Sequence, residues 1–257
     1  MIYTYHTHTH YCDHATGTPR EYIERAISVG IKKMGFSEHI PFVFPNGTEY
    51  SYRLPMARTK EYMDEIAALK EEYRDKIEIH TGFETEYFPF CFDEVVDFAV
   101  FAGAEYLILG QHSVGSEGVD LHWSTFKTDD VNKLKEYVDC IVAAMESGKI
   151  FYVAHPDIFN FTGDSEIYRE QMRRICVASN ETDTPLEINF LGIRQNRNYP
   201  NEIFWKIAGE EGCRVVFGFD AHDCLAAGDL ESLPYAEELV KKYKLTLLDD
   251  PKIKMLK

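Results

Sequence analysis

The chain has 257 residues, 45% of them hydrophobic and 27% charged, with a formal net charge of −16. That length suits one large α/β domain spanning 1–257 and is ample for a sizeable core. So acidic a surface argues against sequence-independent binding of nucleic-acid polymers and against anionic membranes, both of which select basic footprints.

The opening MIYTYHTHTH lacks the basic and apolar regions of a secretory leader, and no run of about 18 apolar residues follows, so a cytoplasmic protein with no membrane partner is expected. Cys12, Cys91, Cys140, Cys176, Cys213 and Cys224 form no CxxC pair. They read as reduced, mostly buried thiols.

In chain order, the first predicted strand covers 2–8, IYTYHTH. A helix over 18–30 follows, opened by Thr18 and Pro19 and closed by Gly30. The second strand, 32–39, runs into the longest expected loop, 40–56, whose aromatics and prolines suit a lid or wall. Helix 57–75 leads to strand 77–87, and helix 91–103 to strand 106–113. Helix 128–148 then precedes strand 150–157, helix 165–179 precedes strand 185–190, and helix 201–212 precedes strand 214–222. A last helix covers 233–243. Each strand is called on length and on β-branched and aromatic content. Strand alternating with helix seven times means parallel strands joined by crossovers. Reactive residues finish nearly every strand, which favours an irregular seven-stranded (β/α) barrel of TIM-like form over an open sheet, because barrel strand ends converge on one mouth.

Those strand ends carry the chemistry. Alternate side chains of a strand share a face, so His6 and His8 can chelate one ion. His10 would join them only if the strand ran on, and HYCD looks like a loop; His14 stands just before the first helix. Strand two ends in Glu38-His39, strand three near Glu84 and Glu86, strand four in Gln111-His112, strand five in His155-Pro156-Asp157 and strand seven in Asp220-Ala221-His222. Imidazole with carboxylate is the ligand set of Zn, Mn, Fe or Co. His80, in mid-strand, reads as structural.

The ordered set HTH…H, SEH, GFE, GQHS, AHPD and GFDAH resembles the PHP (polymerase and histidinol phosphatase) family along essentially the whole chain. HTHTHYCDH and FSEHIPF look most like its monofunctional histidinol-phosphate phosphatases. The resemblance implies a distorted seven-stranded barrel and three divalent ions. It places His6, His8, Glu84 and Asp220 on one ion. Glu84 bridges to a second ion held by His112 and His155, and His14, His39 and His222 hold a third. Glu84 is preferred to Glu86, which shares its strand face. Cys12 has no ligand role. Glu84, Asp220 and His222 are the expected catalytic residues.

The implied reaction is hydrolysis of a small phosphate monoester, L-histidinol phosphate, by attack of a metal-bridging hydroxide, since divalent ions lower the pKa of bound water to about 7. Arg194 and Arg197, after the sixth strand, suit bidentate phosphate contact, and Gly192-Ile193-Arg194 matches a GLR-like turn of the family. For the cationic imidazole end of the substrate the expected contacts are Phe42, Phe44, Tyr50, Glu117, Asp120 and His122. The alternatives are a PHP phosphoesterase for nucleotides or phosphotyrosine, a non-catalytic metal module and an amidohydrolase. The last would typically place a carbamylated lysine at a strand end, and no lysine stands at one.

Overall fold

The computed structural model describes residues 3–44, 47–115 and 121–257. Its first units are β1 (Tyr3–Thr4), α1 (Pro19–Ser28), β2 (Lys33–His39), α2 (Thr59–Glu72), β3 (Glu78–Thr85), α3 (Phe92–Ala102) and β4 (Tyr106–Leu109). A hairpin of β5 (Ser113–Val114) and β6 (His122–Trp123) follows, then α4 (Val131–Glu146), β7 (Tyr152–Val153), α5 (Ser165–Glu181), β8 (Leu186–Asn189), the short α6 (Phe190–Arg194) and α7 (Glu202–Glu210). The chain closes with β9 (Arg214–Gly218), α8 (Leu233–Tyr243) and β10 (Thr246–Leu247). The Thr18 hydroxyl accepts from the Glu21 amide while the Glu21 carboxylate accepts from the Thr18 amide, a reciprocal cap ahead of Pro19. Asp164 caps α5 by accepting from the Glu166 and Ile167 amides.

The parallel strands run in the order β1-β2-β3-β4-β7-β8-β9-β10. This corrects the seven-strand expectation: among the described residues the sheet is curled and has eight strands, because the chain beyond α8 adds β10 beside β9. Several strands are also shorter than their apolar runs, β1 and β7 being two residues each. The residues past them leave the ladder to build the rim. His6 and His8 lie beyond β1, tied to the end of β9 by a parallel bridge between Thr7 and Ala221.

Side-chain alternation divides the sheet's two faces. On β4, Leu107 and Leu109 join the large core under the helices, whereas Tyr106 and Ile108 join an inner cluster with Tyr3, Tyr5, Phe151, Tyr152 and Val216. Tyr106 donates to the Tyr5 carbonyl at 2.9 Å. A Cβ at Gly35 would stand 2.2 Å from the Tyr106 hydroxyl, so only glycine leaves room for this aromatic plug. The same alternation turns Glu84 on β3, Glu187 on β8 and Asp220 beyond β9 toward the interior. Among the described residues no helix is long and apolar enough to cross a membrane.

His80 is tied down as a structural residue. Its Nδ1 lies 2.7 Å from Glu105, which also accepts from Lys70 at 2.7 Å. Burial alone would raise the Glu105 carboxyl, but these two partners outweigh it and hold it down at about 2. A depressed carboxyl stabilises the fold above its unfolded pKa and loses that contribution as pH falls toward its folded value. The stability advantage of wild type over Glu105→Gln is therefore expected to shrink by on the order of 1 kcal/mol between pH 6 and pH 3 in urea unfolding. An advantage that does not change with pH would contradict this pairing.

Candidate metal centre at the strand ends

Glu84 is the hub of the rim. Its Oε2 lies 3.3 Å from His8 Nε2, 3.5 Å from His6 Nε2 and 3.0 Å from His39 Nδ1. Its Oε1 lies 3.0 Å from His155 Nε2 and 3.4 Å from His112 Nε2. Asp220 Oδ1 lies 3.5 Å from His6 Nε2, 3.6 Å from His8 Nε2 and 3.2 Å from His222 Nδ1. His14 and His222 bring their Nε2 atoms within 2.9 Å of each other. Nine residues from six strand ends and the first loop thus meet in one place. His155 and Asp220 hold left-handed backbone, φ 31° and 46°. Strain of that kind costs about 1–3 kcal/mol per residue and collects at functional sites.

The donor atoms lack ordinary partners. His6 Nε2, both ring nitrogens of His8, His39 Nδ1 and Glu84 Oε2 are buried without a hydrogen bond. Around a tetrahedral ion with bonds of about 2.0–2.2 Å, donors stand about 3.3–3.6 Å apart. The distances from His6 and His8 Nε2 to Glu84 Oε2 and Asp220 Oδ1 meet that spacing. Several subsets of the cluster bring three donors close enough to share a cation, including His6-His8-Glu84, His39-Glu84-His112 and His8-His39-His222. Electrostatics agree. Burial opposes charge on each imidazole, yet Glu187, Asp220 and Glu84 raise His6 well above its ordinary value, and Glu38 and Glu84 raise His8 to about 9. Burial and the neighbouring imidazoles of His222 and His8 push His14 down to about 3. Burial, with His8, likewise holds His39 well below its ordinary value. The carboxylates thus call for positive charge at His6 and His8 while His14 and His39 stay neutral, and a divalent cation would supply that charge and take neutral imidazoles as ligands.

A second ring of buried carboxylates lies behind the first. Glu187 Oε1 is 2.8 Å from His6 Nδ1. Glu38 accepts from the Thr9 amide at 2.7 Å and the Thr9 hydroxyl at 2.6 Å, with its other oxygen 3.8 Å from His8 Nδ1. Glu86 lies 3.4 Å from His112 Nδ1, pairs with the buried Arg53 and accepts from Tyr52 at 3.0 Å. Glu86 is therefore committed to partners behind the rim. Cys12 sits close to His8 and Glu38. Burial and the Glu38 carboxylate push its thiol up, away from thiolate.

In front of the cluster is a cavity of about 430 Å³ walled by Tyr52, Trp123, Ile158, Leu191 and Tyr199. Arg197 is its one guanidinium among the described residues, steadied by Gln195 and by the Tyr199 hydroxyl at 3.0 Å. Arg194 corrects an expectation. It pairs with Asp229 at 2.8 Å and donates to the carbonyls of Phe219 and Asp220 at 3.2 and 3.1 Å, so it clamps the strained turn and does not line the cavity. His122 is a second correction: it packs beside Phe159 and Phe126, while Trp123 takes the cavity wall. Tyr50 backs that wall, 5.5 Å from Trp123, whereas Phe42 and Phe44 pack against Phe88. Glu117 and Asp120 lie outside the described residues. His10 turns to the Gly17 carbonyl, 3.2 Å away. Sequence reasoning missed Glu187 and Asn189, whose signal was polar residues at alternate positions of an otherwise apolar strand, and Arg53 and Tyr52, which lie in a loop with no period to read.

A curled parallel sheet with a histidine–carboxylate cluster at its strand ends defines a class of metal-binding domain, and a PHP-domain family model matches residues 4–190. The chain belongs to the PHP family. It is 28% identical over 258 residues to the histidinol-phosphatase of Bacillus subtilis, covering 88% of this chain and 94% of that one. To the histidinol-phosphatase of Lactococcus lactis it is 25% identical over 254 residues, covering 93% and 90%. The crystal structure of histidinol phosphate phosphatase from Lactococcus lactis, complexed with Zn, L-histidinol and phosphate, superposes with a TM-score of 0.73 at 25% identity, covering 96% of this chain and 95% of that one.

A glycine guards the hub. A Cβ at Gly110 would stand 1.8 Å from Glu84 Oε1. Gly110→Ala is expected to displace that carboxylate and reduce bound metal measured by elemental analysis, with the circular dichroism of the fold retained. Unchanged metal content would show that Glu84 is not the hub.

Proposed function

We propose that this chain, as one domain spanning residues 1–257, is a metal-dependent phosphomonoesterase that hydrolyses L-histidinol phosphate to L-histidinol and phosphate. The observation that carries the reading is the set of unpartnered donor atoms of His6, His8 and Glu84, with Asp220 Oδ1 at ion-binding spacing from both imidazoles. His112 and His155 with Glu84 form a second site, and His14, His39 and His222 a third. When bound, divalent ions supply a hydroxide near neutral pH and offset charge on the phosphoryl oxygens. Charge matching supports three ions. The rim buries Glu38, Glu84, Glu86, Glu187 and Asp220 against one guanidinium, Arg53, a formal excess of four negative charges. Three divalent ions turn that into an excess of about two positive charges, the complement of a phosphate monoester of about −1.5 to −2.

The chain's own residues do the rest. Arg197 reaches the cavity from the side and binds a phosphoryl oxygen. Tyr52, Trp123 and Tyr199 enclose the flat imidazole of the leaving group and exclude water. Glu84 and Asp220, fixed by the surrounding imidazoles and the left-handed turn at Asp220, hold the reacting geometry. The names of the relatives at 25–28% identity support the choice of substrate.

The test is an assay of chelated and reconstituted protein. Chelation is expected to abolish hydrolysis, and Zn, Mn or Co to restore it, with kcat/KM for L-histidinol phosphate at least tenfold above p-nitrophenyl phosphate. Full activity after chelation would overturn the metal reading. Better turnover of nucleotide monophosphates or phosphotyrosine peptides would overturn the substrate. Arg197→Ala is expected to raise KM for the ester about 10–100-fold, since a charge-assisted contact is worth about 1.5–3 kcal/mol. Arg194→Ala should instead lower bound metal, and the reverse pattern would restore Arg194 as the anion clamp.

A further inference from the structure

Strand β8 sends Leu186 and Ile188 into the apolar core under the helices. Its other face carries Glu187 and Asn189, both buried. Neither stands where a substrate could reach it, yet between them they touch three rim residues. Glu187 Oε1 lies 2.8 Å from His6 Nδ1. Its Oε2 accepts from the His155 amide at 3.0 Å and from Asn189 Nδ2 at 2.9 Å. Asn189 Nδ2 also donates to Asp220 Oδ2 at 3.0 Å, and Asn189 Oδ1 accepts from the Gly192 amide at 3.1 Å. The amide has only one workable orientation, because turning it over would set its oxygen against two carboxylates and its NH₂ against a backbone N–H. Gly218 keeps the space open: a Cβ there would stand 1.6 Å from Glu187 Oε1.

We propose that Glu187 and Asn189 are one positioning unit, in which Glu187 keeps the His6 proton on Nδ1 so that Nε2 faces a cation, and Asn189 holds Asp220 Oδ2 so that Oδ1 faces the same cation. The inference rests on the metal reading above, in which His6 and Asp220 share an ion. The chemistry at Glu187 demands a carboxylate. Three N–H groups converge on its two oxygens. A glutamine offers one acceptor oxygen and one NH₂, so one side must oppose N–H to N–H. Relief on the His6 side moves the ring proton to Nε2, the atom needed for the ion. Outer partners of metal-ligating histidines typically contribute 10–100-fold in metal affinity.

The experiment measures zinc affinity by chelator competition, zinc stoichiometry, and the melting temperature of the metal-free protein for wild type, Glu187→Gln and Asn189→Ala. Glu187→Gln is expected to weaken zinc binding about 10–100-fold while its metal-free melting temperature stays within a few degrees of wild type. The Nδ1–H resonance of His6 in the zinc-loaded protein should also disappear. Should Glu187→Gln not fold, Asn189→Ala decides, with weaker zinc binding again expected. Wild-type zinc affinity in a folded variant overturns the positioning unit and leaves the metal reading standing. A lowered metal-free melting temperature with unchanged affinity also overturns it, since that is a packing role. Wild type that binds no zinc overturns the metal reading itself, and the unit with it.

Discussion

Buried negative charge is the constraint on which this structure depends. Glu38, Glu84, Glu86, Glu187 and Asp220 lie within one rim, each no more than 4% exposed, with Arg53 as the single buried guanidinium among the described residues. At about 4 Å, two like charges repel by about 4 kcal/mol even at an effective dielectric of 20. No hydrophobic gain is specific enough to hold five carboxylates together, so the arrangement is stable only with positive charge among them. Imidazolium ions can supply part of it, as the raised His6 and His8 indicate. Divalent cations supply more charge in less space.

The rest of the rim can be read as accommodation of that core. Parallel strands bring distant segments to one edge, and crossovers on the outside leave the edge free. His155 and Asp220 accept left-handed backbone, and Arg194 with Asp229 steadies the turn at Asp220. Gly110 and Gly218 give up side chains where Glu84 and Glu187 need the volume. The loop before α2 is pinned the same way: Arg53 and Tyr52 fasten it to Glu86, and Tyr52 then packs edge-on to His39 with ring centroids 5.1 Å apart. The wall over the mouth is thereby joined to the histidine cluster.

How much of this the sequence disclosed follows from what each residue does. Strand-end histidines were legible because they interrupt apolar runs, and the alternation of His6 and His8 carries its own geometry. Outer carboxylates were less so. Glu38 and Glu86 stood beside more obvious ligands, and Glu187 looked like part of a strand until its hydrogen bonds were seen. Arg194 was misread because a loop arginine near a phosphate site and one clamping backbone carbonyls have the same local sequence. His122 was misplaced for a related reason: a two-residue strand sends neighbours to opposite sides, and only the pairing Val114 with His122 and Ser113 with Trp123 fixes which one faces the cavity. The eighth strand, Thr246–Leu247, is too short to carry a period at all.

The central claim is that several cations sit within one carboxylate-centred cluster, with Glu84 shared between them. Anomalous diffraction at the zinc edge from crystals grown with zinc tests it most directly. The account predicts one peak within about 2.0–2.2 Å of His6 Nε2, His8 Nε2, Glu84 Oε2 and Asp220 Oδ1, and a second at similar distances from Glu84 Oε1, His112 and His155. A single peak that leaves Glu84 uncoordinated, or none at the rim, would contradict it.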